Sequence, residues 1–384
     1  MEELLPIALF YDASHEAFRE QLRRFVRKEI EPYVDSWDEA GTFPRELYRK
    51  ASAVGLLQAN FPEELDGVPG DRFYSIIVNQ ELAQCGAGGI CAGLLSHTLA
   101  LPPIVRFGSD ELRNSIVPAV LSGDRIAALA VTEPTGGSDV AKLRTTARRE
   151  GQGFILNGEK TFITTGMRAD YITVAVRTGG PGFGGLSLVV VDADSPGLSR
   201  VPLDRKMGWW ASDTAALYFQ DCYVPSDRLI GEENSGAKYL LATFNEERLG
   251  LAASAIGFSQ LAYDEALAYA KTRETFGKRL VQHQVIRHKL VDMKQRIVAT
   301  QALLEIVAWQ MEQNIEAIAE LCMLKNQATQ TMAFCASEAV QIFGGAGFLR
   351  GSKVERIYRE VKVNAIGGGT EEIMKELASR QLGF

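Results

Sequence analysis

No part of this chain approaches the ~18 consecutive apolar residues that a helix needs to cross a bilayer, so no spanning helix is expected. The opening stretch, MEELLPIALFYDASHEAF, lacks a basic segment ahead of an apolar core, so no secretory signal is expected there. Basic tracts are also missing. Lys and Arg total 41 against 48 Asp and Glu, the two signs are interspersed, and the formal net charge is −7. That balance excludes the electrostatic footprint of a nucleic-acid-binding protein. Cysteine is scarce: Cys85, Cys91, Cys222, Cys322 and Cys335 are odd in number and include no Cys-x-x-Cys pair. They read as buried, reduced thiols in a reducing compartment, not as a disulfide framework. The four histidines include no His-Glu-x-x-His, and no metal is expected. No internal repeat of fixed period is visible.

What the chain does have is length, a core and a change of style. With 384 residues, 46% of them hydrophobic, it can build two or three domains. Residues 1–125 read as helical. In FREQLRRFVRKEIEPYV, Phe18, Leu22, Phe25, Val26 and Ile30 recur at three- and four-residue steps, and Pro32 ends or bends that helix. The Ala-, Gly- and Leu-rich run from Glu81 to Leu101 reads as a buried helix that lets neighbours approach closely. Residues 126–232 carry short β-rich runs, FILNGEK, YITVAV, LSLVVVD and AALYF, separated by turn-forming RTGGPGFGG, DADSPG and ASD. Residues 233–384 return to helix, with Ile286, Leu290, Met293, Ile297, Leu304 and Val307 along one stripe. The expected fold is therefore α+β and mostly α: an N-terminal helical domain, a middle antiparallel β-domain and a C-terminal four-helix-bundle domain.

Five segments stand out: AVTEPTGGSDV (from Ala130), NGEKTFITTG (from Asn157), TRETFGKRLVQHQ (from Thr272), QIFGGAGF (from Gln341) and GGGTEEIMKELASRQL near the end. Glycines 136 and 137 let backbone N–H groups approach a ring or phosphate. The GGAG at 344–347 follows a helical pattern and lacks the spacing of a dinucleotide fingerprint or P-loop. Taken singly, Thr132 and Thr164 read equally as strand-end threonines, Phe162 as core, and Arg273 as one half of an ion pair.

In this order the five segments resemble the acyl-CoA dehydrogenase family, and the resemblance runs nearly end to end. It implies FAD as cofactor. Thr132, Gly137, Ser138, Phe162 and Thr164 would meet the flavin, with Phe162 where relatives often carry Trp. Arg273 would hold the pyrophosphate through its guanidinium fork. Thr275, Phe276, Gln284, Gln341 and Gly345, with Thr370 and Glu372, would complete a cofactor cleft shared by two subunits of a homotetramer. The implied activity is α,β-desaturation of an acyl-CoA thioester to the trans-2-enoyl-CoA, as in fatty-acid β-oxidation. Its electrons would pass to an electron-transferring flavoprotein.

The reaction needs a carboxylate beside the thioester α-carbon. Many relatives carry it just before a Gly-Thr pair near the C-terminus, but here that position is Gly368. A smaller set, of isovaleryl and long-chain type, takes the base from a helix of the C-terminal domain. The matching residue in FNEERLGLAASAIG is Glu247. Glu246, Glu371 and Glu372 are the rival carboxylates. Glu246 lies about 100° around a helix from Glu247, so the two cannot face one pocket. The backbone N–H of Gly368 is expected to hydrogen-bond the thioester carbonyl. Ser138, Asn245, Arg248 and Arg380 occupy positions resembling the family's thioester and CoA contacts. Gly250, Ala252 and Ala253 suit a medium, long or branched acyl pocket, or equally close helix packing. Trp209-Trp210 reads either as lying near the thioester or adenine or as capping the β-domain. The alternatives are a same-fold flavin oxidase or monooxygenase, or a non-catalytic acyl-thioester-binding protein. The expected location is the cytoplasm, or the mitochondrial matrix for a processed eukaryotic protein.

Overall fold

The structure, a computed structural model, describes residues 9–384. The expectation about an N-terminal signal falls partly on residues 1–8 and there lies outside the described residues. The long helices, in chain order, are α1 (Ala13–Phe25), α2 (Arg72–Ala83), α3 (Asp110–Leu121), α4 (Gly236–Thr272), α5 (Gln284–Glu312), α6 (Ile318–Phe343), α7 (Lys353–Ile366) and α8 (Glu371–Leu382). Two compact units form. One takes the chain up to Ser36, Gly70–Cys91 and Arg248–Phe384; the other takes Trp37–Pro69 and Ala92–Glu247. The N-terminal helical stretch thus divides between the two.

The second unit is built on a sheet. Its strands are β1 (Ala127–Ala130), β2 (Thr146–Glu150), β3 (Gly153–Thr164), β4 (Tyr171–Arg177), β5 (Leu186–Asp192), β6 (Leu198–Pro202), β7 (Thr214–Pro225) and β8 (Leu229–Ile230). The order β6-β7-β3-β2-β4-β5-β8 is antiparallel except where β2 meets β4, and β1 lies parallel to β4. The runs YITVAV and LSLVVVD are continuous rather than alternating because β4 and β5 are covered on both faces. Val174, Val176, Val189 and Val191 enter one core with Phe154, Leu217 and Phe219. Ala175, Leu186, Leu188 and Val190 enter another with Ile104, Ile116 and Leu240. β1, β2, β6 and β8 escaped the sequence reading: β2 and β6 are mostly exposed, and β1 and β8 are only four and two residues long.

In the first unit Asp12 caps α1, accepting from the backbone N–H of Ser14 and His15. The helix then widens into a π turn over Val26–Ile30 and tightens into a 3-10 turn around Pro32. That change of pitch keeps Leu22, Phe25, Val26 and Ile30 all buried. The expected continuous helix from Glu81 to Leu101 is corrected. α2 ends at Ala83, Gly86 turns the chain at φ +71°, and short helices follow at Gly88–Leu94 and His97–Ala100. A Cβ on Gly86 would also press Lys353 and Leu261 at 3.2–3.3 Å, so a side chain there meets both strain and neighbours. α6 is the central helix, packed by α5, α7 and α8. The stripe of α5 is buried at Leu290, Met293, Ile297, Leu304 and Val307. A two-residue turn, Phe276-Gly277, joins β9 (Glu274–Thr275) to β10 (Lys278–Arg279) beyond α4. Among the described residues all five cysteines are buried free thiols, and no single helix is long and apolar enough to cross a membrane.

Candidate functional site

The sequence motifs of the β-unit converge on one edge of β3. Pairing of β3 with β7 slips between Lys160 and Ile163, and the extra residues form a bulge. Phe162 sits in it at φ +60°, a conformation costly for an aromatic residue, and its side chain is 69% exposed. The strain and the exposure together present a flat apolar face that the fold does not use for its own core. Thr132 lies alongside, its carbonyl accepting the N–H of Thr161 at 2.8 Å. Thr164, half-buried, ends the same strand opposite Thr214. Gly137 and Ser138 are exposed in the loop after Thr132.

The supports of this edge were not assigned in the sequence reading. Lys160 is fully buried; its Nζ donates to Glu133 Oε1 at 2.8 Å and to the Val131 carbonyl at 3.0 Å. Glu133 also accepts the N–H groups of Arg144 and Thr145. Burial drives the Lys160 ammonium down to about 8 against the pull of Glu133. Burial works against ionised Glu133 as well, but Lys160 and the backbone donors outweigh it, and its pKa lies below the ordinary value. Asp213 holds the turn after Thr164, accepting from Met167 N at 2.8 Å and pairing with Arg168 Nε at 2.7 Å. Arg200 binds the same turn through the carbonyls of Gly166, Met167 and Ala169. Lys160 and Glu133 stood inside the quoted motifs; a lysine at an inward strand position was the available signal.

Trp209 and Trp210 belong to the loop before β7 and are half-buried. Trp210 Nε1 donates to the Lys206 carbonyl at 2.8 Å, and Lys206 Nζ returns to the Trp209 carbonyl at 2.8 Å and Thr214 Oγ1 at 3.0 Å. Asn245 and Glu247, at the end of this unit's part of α4, are half-buried. Glu246 is turned to Arg106, 3.9 Å away.

In the other unit, the residues assigned to the cofactor's far end gather where α4 and α6 finish. Tyr269 stacks on Phe343 with ring centroids 4.3 Å apart. Arg273 follows, exposed, its N–H bonded to the Tyr269 carbonyl. Phe276 occupies the hairpin turn at φ +51°, beside Gly277 at φ +75°, and is 97% exposed. Thr275 Oγ1 lies 3.2 Å from His283 Nε2, just before Gln284 opens α5. Gln341 and Gly345 are exposed, and a Cβ on Gly345 would meet nothing within 4 Å.

At the C-terminus Gly368 and Gly369 both hold positive φ, +66° and +101°. Arg248, 6% exposed, donates Nε to the Gly368 carbonyl at 3.3 Å. Thr370 is the N-cap of α8, accepting from Ile373 N at 3.3 Å. Glu371 and Glu372 occupy the first turn of that helix, where carboxylates complement its dipole. Glu372 lies below the ordinary range through its own backbone N–H and the Thr370 hydroxyl. Arg380, exposed, pairs with Glu376 one turn earlier. Ala252 and Ala253 are fully buried, and a Cβ on Gly250 would lie 3.4 Å from the Asn79 amide, so close packing engages all three.

Each unit by itself exposes an aromatic face at strained positive φ beside hydroxyls, features that suit a flavin nucleotide, and Arg273 is exposed at the start of the hairpin. Residues 12–124, 128–222 and 234–383 match the family models described as acyl-CoA dehydrogenase N-terminal, middle and C-terminal domains. The chain is 35% identical over 381 residues to the mitochondrial long-chain specific acyl-CoA dehydrogenase of Sus scrofa, covering 98% of this chain and 88% of that one. It superposes with a TM-score of 0.96 on a probable acyl-CoA dehydrogenase from Mycobacterium abscessus, at 44% identity, covering 97% of this chain and 100% of the other. It also superposes, with a TM-score of 0.92 and 26% identity, on a glutaryl-CoA dehydrogenase from Mycobacterium smegmatis in complex with FADH2, covering 97% and 95%.

Proposed function

The chain belongs to the acyl-CoA dehydrogenase family, an FAD-dependent oxidoreductase family, and from that premise we propose that it desaturates a medium, long or branched acyl-CoA with Glu247 as the base. The observation that carries this reading is the bond from Arg248 to the Gly368 carbonyl. It ties helix α4, immediately after Glu247, to the segment where many relatives keep their base and this chain has glycine. The rival carboxylates have other work: Glu246 faces Arg106, and Glu371 and Glu372 open α8.

Phe162, Thr132 and Thr164 would hold the isoalloxazine edge, and Arg273, Phe276, Gln284, Gln341 and Gly345 the nucleotide end. FAD supplies, when bound, the two-electron acceptor for the β-hydrogen. The protein's own part is acid–base and electrostatic. Glu247 takes the α-proton onto a carboxylate oxygen. The Gly368 N–H donates to the thioester carbonyl as negative charge develops there, which lowers the cost of breaking the Cα–H bond. Asn245 and Ser138 would position the thioester and Arg380 a CoA phosphate; for that, Arg380 would leave Glu376. An electron-transferring flavoprotein as acceptor and a homotetramer as the working assembly complete the proposal.

The test is anaerobic bleaching of the flavin absorbance by a panel of straight and branched acyl-CoAs. Bleaching by one chain class, followed by slow reoxidation in air, is the expected result. No bleaching by any thioester, or rapid oxygen consumption, would remove the dehydrogenase reading.

A further inference from the structure

The Gly368–Gly369 turn is held by a second buried cation that the reading above leaves unused. Lys325, on α6, is 0% exposed, and its Nζ donates to the Gly369 carbonyl at 2.7 Å. Arg248 holds the preceding carbonyl, that of Gly368. Two successive peptide planes are therefore each gripped at the oxygen by a cation, one from α4 and one from α6. Next along the chain, Asn326 Nδ2 donates to the Glu371 carbonyl at 3.0 Å, which continues the grip into α8.

At this turn the two bonds supply definition. Glycine explores positive and negative φ about equally, and consecutive glycines make a turn that wanders unless anchored. Gly369 is confined sterically as well: a Cβ there would lie 2.5 Å from Met374 Cε. The Gly368 N–H belongs to the peptide plane just before these two, so restraining the two oxygens that follow it limits the rotation at Gly368 and Gly369 through which that N–H would be re-aimed. That N–H is the donor assigned to the thioester carbonyl, and a donor stabilises developing charge only when already aimed.

We propose that Lys325 and Arg248 are positioning residues that lock the Gly368–Gly369 backbone so that the Gly368 N–H stays directed at the thioester carbonyl. The proposal rests on the dehydrogenase reading and deepens it. It assigns Arg248 to the backbone rather than to the substrate, and it makes Lys325 necessary for carbonyl polarisation without touching substrate.

The experiment uses the FAD-loaded full chain. Palmitoyl-CoA or isovaleryl-CoA, whichever bleaches the wild type, is labelled with carbon-13 at the carbonyl and bound to the Glu247→Gln protein, which does not consume it. The thioester C=O infrared stretch is then compared with and without Lys325→Gln or Lys325→Arg. Expected are a shift of the stretch toward the free thioester's value in Lys325→Gln, partial return in Lys325→Arg, and a fall in kcat of about tenfold or more with little change in KM when Glu247 is intact. Folded, flavin-loaded Lys325→Gln protein with an unshifted stretch and normal kcat would overturn the clamp while leaving the dehydrogenase reading in place. If Lys325→Gln does not fold, Arg248→Lys gives the same comparison from the other carbonyl, with the same two outcomes. A wild type that no thioester bleaches would overturn both.

Discussion

Lys160 and Glu133 form an ion pair at 2.8 Å with both side chains shut away from water, and between them they hold the backbone on either side of Thr132. Lys160→Met should leave Glu133 buried without its counter-charge, a change that typically costs about 3–5 kcal/mol. The urea midpoint should fall accordingly, and the Lys160→Met, Glu133→Gln double variant should recover part of the loss. A midpoint unchanged by the single substitution would show that the pair contributes nothing.

Glu247→Gln keeps the shape of the side chain and removes its basicity. The variant should retain flavin at wild-type occupancy and lose the rate of bleaching by acyl-CoA by about 10²–10⁴-fold, the range expected for a positioned general base. Glu246→Gln should leave the bleaching rate nearly intact, because Glu246 faces Arg106. If the two variants exchanged behaviour, the base would be one residue earlier in the helix.

His97 offers a pH test of the β-unit. Both ring nitrogens lie 3.0 Å from a carbonyl oxygen, of Leu94 and Leu57, an arrangement that favours the imidazolium. Complete burial outweighs it and carries the pKa from 6.5 down to about 4. Between those values the unfolded chain binds a proton that the folded ring refuses. Stability from this group is therefore fully present above about pH 6.5 and lost as pH falls toward 4, by at most about 3 kcal/mol. Urea midpoints at pH 7 and pH 5 should differ less in His97→Gln than in wild type. Equal differences would show that His97 does not titrate in this window.

Helix–strand–helix order, the buried stripe of α5 and the helix-breaking place of Pro32 were all readable from periodicity and turn residues. Other features turn on contacts between distant segments, which one-dimensional patterns do not carry. The break at Gly86 depends on Lys353 and Leu261 lying against it. The exposed half of β2 and β6 has no alternation to read. Lys325 sits among Leu321, Cys322, Leu324 and Ala328, where a lone lysine in an apolar run is visible but the Gly369 carbonyl it meets, 44 residues on, is not. Phe162 and Phe276 were picked out by resemblance; their positive φ, which explains why two aromatics face outward, needed coordinates.

Phe276 shows what that conformation costs and what it serves. It occupies the first central position of a two-residue hairpin whose second is Gly277, both at positive φ, a turn for which Asn-Gly is the favoured pair. Phe276→Asn should therefore relax the turn and leave stability unchanged or raised by about 0.5–1 kcal/mol. The same substitution removes a ring that is almost wholly exposed and so contributes no core packing. If that ring serves the cofactor, FAD should be lost on dilution from Phe276→Asn faster than from wild type, although the protein is no less stable. Arg273→Ala is the companion: loss of a charge-assisted bond to phosphate, about 1.5–3 kcal/mol, should weaken FAD retention roughly 10- to 100-fold, with the melting curve of the apoprotein unmoved. Thermal melts with and without FAD separate the two effects. A Phe276→Asn protein that melts lower and keeps its flavin would show that the aromatic side chain supports the hairpin, not the cofactor.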